Sequence, residues 1–139
     1  MDKEKKAKIS LYKKNTSSYI LLLFAVLFEM IYTIVTLNNM TTNYKMGVVI
    51  LINIVLIFLM FSCAVKVKIY IKKSIYICGC ISIYVIVRYL LLIPYFVQPK
   101  GQLMTIRISS ILTFILCLTA TIISYKVTVR REHILKQEQ

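Results

Sequence analysis

The chain has no tryptophan, only three glycines, two prolines and one histidine, and five acidic residues in 139. With so little glycine it shows no glycine-rich phosphate loop. A single histidine, His133, excludes an HExxH zinc site and leaves no pair to ligate haem between helices. No paired carboxylates or Ser/His/Asp set accompany the apolar runs, so hydrolysis and phosphoryl transfer have no visible machinery and the chain reads as a non-enzyme without a cofactor. The four cysteines, Cys63, Cys78, Cys80 and Cys117, form no CxxC pair, and the reading assigns them no metal.

What is present is apolar sequence. Hydrophobic residues make up 59% of the chain and the mean hydropathy is +0.77, beyond the usual range of a soluble domain. Four runs are each about as long as a membrane-crossing helix requires: residues 17–37, 46–65, 74–97 and 103–125. The polar Asn38–Lys45 separates the first two, and Gln98–Gln102 is read as the turn between the last two. Pro94 should kink or end the third run, because it lacks an N–H and clashes with the preceding turn. The first run follows a basic segment as a secretory signal core would. It is about twice too long for one and has no small-residue cleavage site after it, so it is expected to stay in the mature chain.

Eighteen basic residues against five acidic ones give a net charge of +13, and the basic residues flank the apolar runs. Residues 1–16 carry six, the loop between the second and third runs carries Lys66, Lys68, Lys72 and Lys73, and residues 126–139 carry four. The remaining two loops hold Lys45 and Lys100, with Arg107 nearby. By the positive-inside rule both tails and the middle loop are cytoplasmic. The expectation is an all-α integral membrane four-helix bundle, up-down-up-down, between basic tails at 1–16 and 126–139. Its place is the cytoplasmic membrane of a bacterium, where the lysines meet anionic headgroups. Topology accounts for the charge, so no nucleic acid is expected. Residues 126–139 read as a frayed tail, the alternative being an extension of the fourth helix into water with Glu132 and Lys136 spaced to pair on one face.

Inside the apolar runs a few polar residues stand out. Counting about 1.5 Å per residue puts Glu29 roughly 18 Å and Arg88 roughly 21 Å from the cytoplasmic edge, and Asn53 falls in nearly the same layer. A charge at that depth needs a partner. The expected arrangement is a Glu29–Arg88 ion pair with Asn53 and Tyr84 as hydrogen-bond neighbours. Ala25, Glu29, Thr33 and Thr36 form one stripe, and Cys80, Tyr84 and Arg88 another to face it. On the fourth run Ser109, Thr113, Cys117 and Thr121, with Ala120 and Ser124, form a face of small and hydroxylated residues suited to close helix packing.

The heptad Leu27 to Thr33, LFEMIYT, resembles the lone-glutamate first helix of the small multidrug resistance transporters, which are also four-helix proteins. That resemblance implies a small oligomeric transporter or flippase using the layer around Glu29 and Arg88. The absence of enzyme motifs and of a soluble domain, with little extramembrane surface, favours a different expectation: an accessory, regulatory or immunity-type component that binds membrane proteins or lipid, or assembles with itself.

Overall fold

The computed structural model describes residues 15–39, 44–92 and 100–137. They form four helices: α1 (Thr16–Asn39), α2 (Tyr44–Lys68), α3 (Lys72–Leu92) and α4 (Lys100–Gln137). Helix accounts for 96% of the described residues and none is in a strand, so nearly every backbone polar group is satisfied within its own segment, as hydrocarbon surroundings demand. Each helix is long and apolar enough to cross a membrane, which suggests a multi-pass membrane protein.

The helices outrun the apolar sequence at several ends. α4 has 38 residues, about 57 Å, nearly twice a hydrocarbon core. The region read as a frayed tail is therefore helical as far as Gln137, because Lys, Arg, Glu and Gln are good helix formers that continue a helix already nucleated. At its other end α4 begins at Lys100, so Lys100–Gln102 are helical where the sequence suggested a turn. A proline stops a helix from running through it but favours one beginning beside it, and Pro99 is adjacent. Pro94 and the end of the third apolar run lie outside the described residues.

α1 opens with a capped end. The Ser18 N–H donates to Asn15 Oδ1 at 3.4 Å, satisfying one of the four amides that a helix start leaves free. The same Asn15 donates its backbone N–H to the Lys68 carbonyl at the end of α2, and its side-chain amide to Ser124 Oγ on α4, each at 3.2 Å. Asn15 thus belongs to the bundle, although its position had read as tail. The turn from α2 to α3 closes with bonds from Tyr70 N–H to Val67 O and from Ile71 N–H to Lys66 O. This is a Schellman arrangement, and it places Tyr70 at φ 63°.

These contacts gather the start of α1, the end of α2 and the C-terminal half of α4 at one end. Lys72, at the start of α3, joins them through a 3.0 Å salt bridge to Glu132, so sequence neighbours run antiparallel. Glu132 therefore pairs with Lys72 of the neighbouring α3, where its spacing to Lys136 suggests a pair within the helix. Arg131 lies 4.4 Å from the Tyr70 ring and Lys68 lies 4.3 Å from the Tyr19 ring. The overhang of α4 is stitched to the α2–α3 turn.

The helices pack as a ring, α1 against α2, α2 against α3, α3 against α4, and α4 back against α1. The last contact is the most extensive. Ala25, Ala120, Cys117 and Ser18 are fully buried, and such small side chains let helix backbones approach closely. Leu22, Met60, Val67, Ile75 and Val85 fill the space between.

Candidate functional site

Fourteen or so residues inward from Asn15, Lys68 and Ser124, roughly 21 Å along each helix, the ring is crossed by a polar layer. α1 contributes Glu29, fully buried; α2 contributes Asn53 and α3 contributes Arg88, 1% and 5% exposed. α4 reaches the same level near Ser110, which is also buried.

Arg88 is the hub. Its Nη1 donates to Glu29 Oε1 and, at 2.7 Å, to Asn53 Oδ1; its Nη2 donates to Glu29 Oε2 at 3.0 Å. Both carboxylate oxygens are engaged by one guanidinium, the bidentate geometry that gives charge-assisted bonds their strength and direction. α1 and α3 stand across the ring from each other, so the ion pair ties the bundle along its diagonal while Asn53 draws in α2. Thr33 Oγ1 donates to the Glu29 backbone carbonyl at 2.9 Å.

Two aromatic rings complete the site. The guanidinium lies 4.0 Å from the centroid of Tyr32 and 6.0 Å from that of Tyr84. Tyr32 had no place in the sequence reading, yet it is fully buried and supplies the closer face. The available signal was its position three residues after Glu29, one turn along the same helix. Tyr84, expected as a hydrogen-bond neighbour, instead offers Arg88 its ring and is 37% exposed.

The two predicted stripes fare differently. Ala25, Glu29, Thr33 and Thr36 all face the interior, whereas Cys80 and Tyr84 are exposed. The buried face of α3 runs through Cys78, Ile81, Val85 and Arg88. A long arginine reaches sideways to its partner, so the residues three and seven before it turn inward while those four and eight before it turn out.

On α4, Ser109, Thr113, Cys117, Ala120 and Ser124 are buried within this bundle, and Thr121 is half-buried. Thr121 Oγ1 donates to the Cys117 carbonyl at 2.7 Å and Ser109 Oγ to that of Thr105 at 2.8 Å. Cys63, Cys78 and Cys117 are buried and Cys80 is exposed. Among the described residues no three His, Cys, Asp or Glu side chains are grouped so as to hold a metal ion.

Chemically the layer is a neutralised ion pair, sheltered from outside and engaged on both carboxylate oxygens. Removing the Glu29 charge would leave the Arg88 guanidinium buried without its counter-charge, which is costly. Neither a protein-family model, nor a curated protein, nor a solved structure matches the chain.

Proposed function

We propose that this chain is a multi-pass protein of a bacterial cytoplasmic membrane that acts by binding other membrane components, as an accessory, regulatory or immunity-type protein, and that it is not an enzyme. Its N-terminus, α2–α3 turn and C-terminus face the cytoplasm, where the lysines of residues 1–16 and the α2–α3 turn meet anionic headgroups. The observation that carries the reading is the Glu29–Arg88–Asn53 cluster. A carboxylate with both oxygens occupied by a buried guanidinium is a clamp between helices, and a clamp suits a scaffold more than a proton carrier.

A transporter reading keeps one observation in its favour. A cavity of about 160 Å³ between α2 and α3 counts Asn53 and Arg88 among its lining residues. On that reading the working unit is oligomeric, since four helices enclose little volume.

Purification in mild detergent and reconstitution into vesicles separate the two. A stoichiometric complex with an unrelated membrane protein supports the binding reading. A homo-oligomer that shows pH-sensitive uptake, abolished by Glu29→Gln in a variant that remains folded, would overturn it.

A further inference from the structure

A groove of about 460 Å³ lies between α3 and α4. It runs from Ile83 and Leu118 to Tyr76 and Lys126, roughly 12 Å along the helices. Its walls are apolar, with Ile75, Ile83, Leu118 and Ile122 among them. Tyr76 and Tyr125 stand at its mouth, both exposed. A ring with a polar tip is at home where hydrocarbon meets water, and the last apolar run ends at Tyr125.

Past the mouth the lining becomes basic. Lys126 belongs to the groove, and with Tyr125 it also lines a second hollow of about 570 Å³ that continues along α4 past Arg130 and His133. Lys126 and Arg130 are exposed and four residues apart on one helix face, a spacing at which like charges repel. The described residues include two carboxylates, and neither answers these cations: Glu29 is held by Arg88 and Glu132 by Lys72. On α3, Lys73 comes one turn before Tyr76 on the same face, so the mouth has basic residues on both sides.

An occupant of this groove has to be apolar for about 12 Å and anionic at the level of Lys126. A helix of another protein that is apolar throughout would fill the groove and leave both cations unanswered. A second copy inserted in the same sense brings its own basic end to this level, and the chain's first 14 residues carry six lysines against Asp2 and Glu4. Both add charge of the wrong sign. A bilayer supplies the required form in every anionic phospholipid, whose acyl chains hang from a phosphate. We propose that the α3–α4 groove binds one anionic phospholipid, with an acyl chain along Ile83 and Ile122 and the phosphate bridging Lys126 and Arg130. This rests on the reading of the chain as a binder of membrane components, and names one such component and its place.

The absence of tryptophan allows a single reporter to be read without background. Ile122→Trp places it in the groove and Phe61→Trp places it on the outer face of α2, positions of similar exposure. Phe61 precedes Lys66 by five residues, much as Ile122 precedes Lys126 by four, so it senses diffuse basic charge at a similar depth. Each full-length variant is reconstituted in phosphatidylcholine vesicles with a minor share of phosphatidylglycerol, one or the other lipid carrying brominated acyl chains, which quench tryptophan on contact. Preference for phosphatidylglycerol should be about threefold to tenfold at Ile122→Trp and at least about threefold weaker at Phe61→Trp. Lys126→Gln with Arg130→Gln should bring the groove reporter down to the level of the α2 reporter.

Equal preference at the two positions would overturn the proposal in favour of a diffuse basic surface. A groove preference that survives the double replacement would overturn it by removing the phosphate from Lys126 and Arg130. A groove tryptophan quenched by neither lipid would overturn it by showing the groove covered by protein. None of these readouts involves a partner protein, so each leaves the purification test of the binding reading standing.

Discussion

The Arg88 guanidinium carbon sits 4.0 Å from the centroid of the Tyr32 ring, so α1 holds the charge that α3 sends across the bundle with both a carboxylate and a π face. The two grips are separable, because Tyr32 and Glu29 lie one turn apart on the same helix. The Tyr32 hydroxyl is buried with no hydrogen-bond partner at normal geometry, which makes the ring and not the oxygen the useful part.

Tyr32→Phe should therefore leave stability unchanged or raise it, since it removes an unsatisfied hydroxyl and keeps the face. Tyr32→Leu should cost about 2 kcal/mol, the value of a desolvated cation–π contact. Equilibrium unfolding in mixed micelles would measure both, and equal losses for the two variants would show that the ring face contributes nothing.

Glu29→Gln strands a buried arginine and should cost about 3–5 kcal/mol. The double replacement Glu29→Leu with Arg88→Met should lose far less, because both desolvation penalties vanish together. The charge swap Glu29→Arg with Arg88→Glu should recover part of the loss. Membrane accumulation and unfolding in micelles report all three, and a double replacement as damaging as Glu29→Gln would mean the pair is not the unit.

Gly79 marks the contact of α3 with α4. A Cβ built there would lie 3.6 Å from Thr121 Cγ2, an ordinary van der Waals distance. Gly79→Ala should be neutral or stabilising by up to about 1 kcal/mol through helix propensity. Gly79→Ile should cost about 1–3 kcal/mol by forcing the helices apart. A melt in which alanine is as harmful as isoleucine would show a closer approach than this.

Tyr70 holds a left-handed backbone conformation at φ 63° while its ring receives Arg131. Glycine relieves the first and forfeits the second; alanine does neither good. Tyr70→Gly should be more stable than Tyr70→Ala by about 1 kcal/mol. Arg131→Ala should matter only while Tyr70 is present, which a double-mutant cycle would read directly.

Much of the architecture could be read from the chain because hydrocarbon leaves so few choices. A run of about twenty apolar residues has to be helical, and a fixed rise per residue converts sequence position into depth. Depth is why Glu29, Asn53 and Arg88 can be grouped from the sequence alone. Rotation about the helix axis is another matter, because a helix apolar all round carries almost no signal for which face turns inward. Nothing in the pattern marks Tyr84 and Cys80 as outward-facing or Tyr32 as inward-facing. The ends of α4 are only partly legible, for a different reason. Good helix formers past the last apolar turn allow α4 to continue, and the contacts of Arg131 with Tyr70 and of Glu132 with Lys72 hold that continuation against the bundle.

The diagonal ion pair also sets a timetable for biosynthesis. Glu29 and Arg88 are separated by 59 residues, and at about 5–20 residues per second the ribosome needs about 3–12 s to supply the arginine after the glutamate. For a chain inserted from its N-terminus, α1 waits through that interval with a carboxylate that has no counter-charge. It can wait protonated, at the edge of the translocation channel, or in the care of an insertion factor. Of the two helices that the pair joins, α1 is thus the one that must wait for its partner.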